Sequence, residues 1–130
     1  MANYALELDK KKVARAYGRS LRISTKYAIA LCKAISRKSV KRSKALLQNL
    51  VDKKESLGKK FYTNASISML SILKSAESNA KFKFKDFDTE RMIVHASAHK
   101  GFTFRRPRTR RKFAGRHGKM TNVQIVLTKN

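Results

Sequence analysis

Acid is what this chain has least of. Eight Asp and Glu stand against 32 Lys and Arg, for a formal net charge of +24, and none of the eight lies beyond Glu90. From Arg91 to Asn130 there are eleven Lys and Arg and no countercharge. An ordinary soluble surface mixes both signs to a modest net value, so a merely soluble basic protein does not fit. Such a surplus repels itself unless polyanion lies against it, which points to nucleic acid as the partner. Cysteine is nearly absent as well. Cys32 stands alone, which rules out a disulfide framework and fits a reducing compartment; on an apolar helical face it is a small core side chain. Long apolar runs are missing: stretches such as 27–32 and 92–94 fall far short of the roughly 20 residues a spanning helix needs, so no membrane crossing is expected. The segment from Met1 to Asp9 carries acids where a signal peptide carries cations, and secretion is not expected.

The signatures of chemistry are missing too. There is no Gly-x-Ser-x-Gly elbow, no P-loop and no dinucleotide motif. His95 and His99 fall on a predicted strand, where four residues span roughly 13 Å, too far for easy shared ligation. Asp86, Asp88 and Glu90, beside Lys83, Lys85 and Arg91, read as a surface charge cluster. Neither an enzyme nor a cofactor or metal is expected.

What is present suffices for one domain over residues 1–130, because 42% hydrophobic residues can build a core. Val13 to Ile23 reads as a strand with one cationic face, Arg15, Arg19 and Arg22, and a bend at Gly18. Ser24 precedes a first helix in which Ala28, Leu31, Cys32 and Ile35 recur at helical spacing, and its hydroxyl is placed to cap a first-turn N–H. Ser39 opens a second helix with Ser43, Leu46, Leu47, Leu50 and Val51 inward and Lys41, Arg42 and Lys44 outward. After Asn64 a third helix places Ile67, Leu70, Leu73 and Ala76 on one face, with Met69 and Ile72 beside it, and ends near Ala80. Lys81 to Lys85, alternating Lys and Phe, reads as a loop whose Phe side chains cap the core. From Met92 the period is two, with Met92, Val94, Ala96 and Ala98 on one face, and Val123, Ile125 and Leu127 form the return strand.

Between those strands lies a basic arm, residues 99–120, with almost nothing to bury. As a two-stranded ribbon it would be marginal in water, and like charges repel across its width. Its order must come from phosphate, gripped by Arg guanidinium forks, with Phe104 or Phe113 available either to stack on bases or to pack on Arg stems. The fold class expected is therefore α+β: three helices on a small antiparallel sheet, with a long basic β-hairpin arm.

In order and spacing, these pieces resemble the ribosomal protein L twenty-two family of the large subunit, over nearly the whole chain. The carriers are Ala14-Arg15-Ala16 leading to Leu21-Arg22-Ile23-Ser24-Thr25-Lys26, Leu73 to Ala80, Arg106-Pro107-Arg108, and Asn122 to Leu127. The resemblance implies a protein of the cytoplasmic ribosome, a monomer within it, whose body sits on ribosomal RNA beside neighbouring ribosomal proteins. Its hairpin would line the nascent-peptide exit tunnel, with nascent peptide near the tip. By that resemblance Arg15, Arg19, Arg22 and Lys26 hold the body to RNA. Lys100, Arg105, Arg106, Arg108, Arg110, Arg111, Lys112, Phe113, Arg116, His117 and Lys119 hold the arm. The family's Gly-Arg pair after Pro-Arg is Arg111-Lys112 here, with Gly115-Arg116 later, so the tip turn is expected to be shifted. Residues 87–90 and 96–101 look more like archaeal or eukaryotic members than bacterial ones. The competing reading is an architectural DNA-binding protein that lays a basic β-arm into a groove. A membrane-active role lacks the basic amphipathic helix it would need.

Overall fold

A computed structural model of the chain describes residues 4–6, 8–107 and 115–129. The order of elements is β1 (Val13–Leu21), α1 (Thr25–Ile35), α2 (Val40–Val51), α3 (Thr63–Lys83), a short 3-10 turn (Thr89–Arg91), β2 (Ile93–Arg106) and β3 (Arg116–Thr128). The sheet runs β1-β3-β2, antiparallel throughout. The last strand is thus the central one, which suits its composition: Val123, Ile125, Val126 and Leu127 are all buried. The three helices cover one face, giving the α+β architecture that the sequence pattern implies. None of them is long and apolar enough to cross a membrane.

In α1 the buried side chains are Ala28, Leu31, Cys32 and Ile35, as the spacing predicts. Burial pushes the Cys32 thiol up to about 12, so it sits in the core as an inert small hydrophobe. Ser24 does not cap the helix with its hydroxyl. The neighbouring Thr25 hydroxyl instead meets Thr121 Oγ1 at 2.8 Å, and the Thr121 hydroxyl is also 2.8 Å from the Ile23 carbonyl, so this turn is pinned to the sheet rather than capped locally. Ser39 does accept from the Arg42 N–H and caps α2. Ser43, buried on α2, donates to the Ile35 carbonyl at 3.3 Å, which satisfies its hydroxyl inside the core.

Helix α3 departs from its predicted face. The buried stripe is Met69, Ile72, Leu73, Ala76, Glu77 and Ala80, whereas Ile67 is 52% exposed and Leu70 is half-buried. Apolar residues lie on several sides of this helix, so periodicity leaves its rotation open. Packing between α2 and β1 selects the side where Ala76 and Ala80 permit close approach. The helix also continues to Lys83, past the predicted end. The Lys83 ammonium donates to the Val13 carbonyl at 2.8 Å and to that of Lys10, tying the last turn to the start of β1. The alternating Lys-Phe segment is accordingly split: Phe84 packs on the core, and Phe82 is 83% exposed.

Two features fix the sheet's edges. On β1 the register shifts between Gly18 and Leu21, and Ser20 there has φ of 52°. A Cβ at Gly18 would stand 2.4 Å from Ile72 Cδ1, so glycine lets α3 approach this strand. On the other side the α1–α2 connection closes the start of β2. Arg37 N–H donates to the Val94 carbonyl, Val94 N–H to the Lys38 carbonyl, and Val40 N–H to the Met92 carbonyl.

Candidate nucleic-acid interface

The ladder between β1 and β3 ends at Leu21 opposite Thr121, but β2 and β3 go on pairing to Arg106 opposite Arg116. Beyond β1, then, two strands run without a third. That stretch sets Arg105 opposite His117 and Arg106 opposite Arg116, so in the last pair like charges face one another across the ladder. Such pairs destabilise a ribbon unless counterions or a polyanion neutralise them. Arg108, Arg110, Arg111, Lys112 and Phe113, and with them the shifted tip turn, lie outside the described residues.

Where the two-stranded stretch leaves the body, it forms one wall of an open cleft of about 550 Å³. The opposite wall is the β1–α1 turn. Arg22, Ser24 and Lys26 line it from that side, and Phe104, Arg106, His117, Gly118 and Lys119 from the other. Residues about 80 to 95 positions apart in the chain are brought together here, and among the described residues no acid lines the space. The α1 N-terminus opens on the same cleft with no acidic residue in its first turn. Its leading N–H groups add partial positive charge to that of the side chains. Chemically, the arrangement suits anionic oxygens: guanidinium forks, point charges and backbone donors converge on one space.

Of the residues singled out in the sequence, Arg22, Lys26, Arg106, His117 and Lys119 meet in this cleft, all exposed. Lys100, Arg105 and Arg116 are exposed on β2 and β3 around it, and Arg19 is exposed on β1 near the bulge. Arg15 is placed differently. It is half-buried, its Nη2 donates to the Leu8 carbonyl at 3.2 Å, and its guanidinium lies 4.9 Å from the Tyr4 ring centroid. Tyr4 and Ala5 lie over the sheet face opposite the helices, where Ala5 N–H donates to Gln124 Oε1 at 2.9 Å and Tyr4 meets Tyr17 edge-on. Sequence reasoning did not foresee this cover. The one signal for it is Val126, an apolar residue on the strand's otherwise polar face, which is buried.

Phe104 is also engaged within the chain. It lies directly over Gly118 on the partner strand, where a Cβ would come within 2.2 Å of the ring. His99 belongs to the scaffold: Asn122 Nδ2 lies 3.2 Å from its Nε2, while Asn122 Oδ1 accepts the Ser20 N–H at 2.8 Å, joining β2 to the β1 bulge. Among the described residues no group of three or more His, Cys, Asp or Glu is arranged to hold a metal ion.

A buried ion cluster was likewise not foreseen. Glu77, buried on α3, pairs with Lys44 of α2 and with Lys81 at 3.2 Å. Burial pushes this carboxyl up, but the hydrogen bonds and charges of Lys44 and Lys81 outweigh it and hold the group below the usual carboxylate range. Lys44, expected to point outward, is therefore half-buried against the core of the helical layer. This cluster is remote in sequence from the arm and holds α2 on α3.

The family model described as ribosomal protein L22p/L17e matches residues 16–128. The large ribosomal subunit protein uL22 of Methanococcus aeolicus is 34% identical, over 96% of this chain and 95% of that protein. The uL22 proteins of a Methanococcus maripaludis strain and of Archaeoglobus fulgidus are 31% and 30% identical, each over 95% of this chain and 94% of theirs.

Proposed function

The chain belongs to the ribosomal protein L22p/L17e family, and from that premise we propose that it is a structural constituent of the large ribosomal subunit, bound there through ribosomal RNA. The observation that carries the RNA contact is the cleft in which Arg22, Lys26, Arg106, His117 and Lys119 converge with no acid among its described lining residues. An RNA backbone seated there neutralises the cleft's charge and approaches the α1 N-terminus, which favours phosphate oxygens. Exposed Lys100, Arg105 and Arg116 extend the contact along β2 and β3, and Arg108, Arg110, Arg111 and Lys112, outside the described residues, add their charge to it. Arg15 contributes less, since its guanidinium is partly engaged by Leu8 and Tyr4.

The β2–β3 stretch beyond the body is the arm of this reading, a hairpin over residues 99–120 that lines the nascent-peptide exit tunnel. The facing Arg106 and Arg116 explain why RNA is part of its stability: the pair repels in isolation and is neutral only against phosphate. The protein acts by binding and shaping rather than by catalysis, one copy per subunit, beside other ribosomal proteins. The relatives named above are large-subunit proteins from archaea, which favours RNA over duplex DNA and an archaeal type of ribosome.

Two measurements test this. Tagged protein expressed in cells of the source should cosediment with large subunits; cosedimentation with small subunits, or with neither, overturns the assignment. Binding to large-subunit ribosomal RNA should show a slope of log affinity against log salt of about −7 to −9, as expected for about ten neutralised phosphates. A slope near −2 contradicts the extended contact.

A further inference from the structure

Resting on that reading of the chain as RNA-bound, we propose that Phe102 is a stacking platform for one unpaired RNA base. The β2–β3 ladder pairs Lys100 with Thr121 and resumes with Thr103 opposite Lys119, so Gly101 and Phe102 form a bulge between them. Gly101 anchors that bulge: a Cβ there would lie 2.9 Å from Asn122 Oδ1 and 3.2 Å from the Met120 carbonyl, so only glycine fits without displacing them. With Gly101 held against β3, the ring of Phe102 projects outward and is 66% exposed.

Among the described residues, neighbouring aromatic side chains are already engaged within the chain. Phe104 covers Gly118, Tyr17 lies between Tyr4 and His99, and Tyr27 meets Tyr62. Phe82 is even more exposed than Phe102, but it lies near the end of α3, which Lys83 ties to Val13 at the start of β1, away from the two-stranded stretch. The exposed charges that flank the bulge along the two strands are Lys100, Arg105 and Lys119, all positive.

Those surroundings select the occupant. An apolar protein surface laid on the ring would strip water from three cations without neutralising them, which is costly. A nucleotide brings both halves of the match: the base offers a π-face to the ring, and its phosphates offer charge to Lys100 and Arg105. Because a paired base has no free face, the occupant is an unpaired base in a loop or bulge. The bulge then acts as a positioning device that fixes where along the strand a base can dock.

The test uses the full chain, whose sequence contains no Trp, so Phe102→Trp places a single reporter. Its emission should be quenched by in vitro transcribed large-subunit ribosomal RNA and not by fully paired duplex RNA at matched saturation. Phe102→Ala should weaken binding to the ribosomal RNA about 5- to 150-fold, the range for loss of one base–aromatic stack, with the salt slope and the melting temperature unchanged. Phe102→Tyr should restore binding to within about threefold. If Phe102→Ala binds within twofold of the unmodified chain and the Trp is not quenched while RNA is bound with a steep salt slope, the stacking site is refuted and the ribosomal reading stands. Quenching that requires added ribosomal proteins refutes it in favour of a protein neighbour. Failure of every version to bind the RNA brings down the ribosomal reading and the stacking site with it.

Discussion

The cleft at the base of the two-stranded stretch can be tested by its charge alone. Replacing Arg22, Lys26, Arg106 and Lys119 by Gln removes four cations that line one space, and all four side chains are exposed, so the core is untouched. If each neutralises one phosphate, the salt slope should become shallower by about 2.8 to 3.6, because each such contact releases about 0.7 to 0.9 of a counterion. Between 50 and 200 mM salt, a chain with a slope of −7 to −9 loses roughly four to five decades of affinity for ribosomal RNA. The variant should lose only about two and a half to three. Filter binding or fluorescence titration at four salt concentrations reads the slope, and thermal melting confirms that the body is intact. A charge-matched control takes Lys41, Arg42, Lys54 and Lys74, exposed on and beside α2 and α3, to Gln; its slope should change by less than half as much. If the two variants change the slope equally, binding depends on net charge and not on this cleft. If the cleft variant keeps the parent slope, phosphate does not sit there.

Two further outcomes concern the body. Glu77→Gln should destabilise the free chain by about 2 kcal/mol, below the cost of breaking a fully buried pair because Lys44 and Lys81 can still reach water. Since the folded carboxyl titrates below its unfolded value near 4.3, this stabilisation is complete above that pH and is lost as pH falls through the lower folded value. Denaturant melts of parent and variant should therefore converge in acid, and parallel stability curves from pH 7 to pH 3 would disprove the assignment. Gly18→Ala should cost about 1 to 3 kcal/mol through overpacking, because its Cβ would lie 2.4 Å from Ile72 Cδ1. Combined with Ile72→Val, which removes that methyl, the total cost should fall short of the sum of the two single changes; strict additivity would show that the clash is not the cause.

The sequence and the structure agree where the periodic signal was unambiguous. Helix α1 buries Ala28, Leu31, Cys32 and Ile35 at helical spacing, and β3 places Val123, Ile125 and Leu127 on one face, an alternation broken at Val126. Helix α3 has apolar residues on several sides, and a pattern of that kind cannot say which side will be covered. The answer depended on where α2 and β1 press against it, and this also explains why Glu77 is buried and Ile67 is not. The Ser24 hydroxyl illustrates a related limit: a local capping rule lost to Thr25, whose partner Thr121 is 96 residues away.

For the candidate site, the division is similar. The absence of acid beyond Glu90 by itself determined that the last third of the chain carries uncompensated positive charge, because charge is additive and needs no fold to be counted. The order of its motifs likewise determined the family. Which cations act together was decided by tertiary structure. Only the β1-β3-β2 pairing brings Arg22 and Lys26 opposite Arg106 and Lys119. Only the placement of Tyr4 and Leu8 partly engages Arg15, and only the register shift after Lys100 turns Phe102 outward while Gly118 receives Phe104. Convergence and register are properties of strands distant in sequence, and no local pattern of residues encodes them.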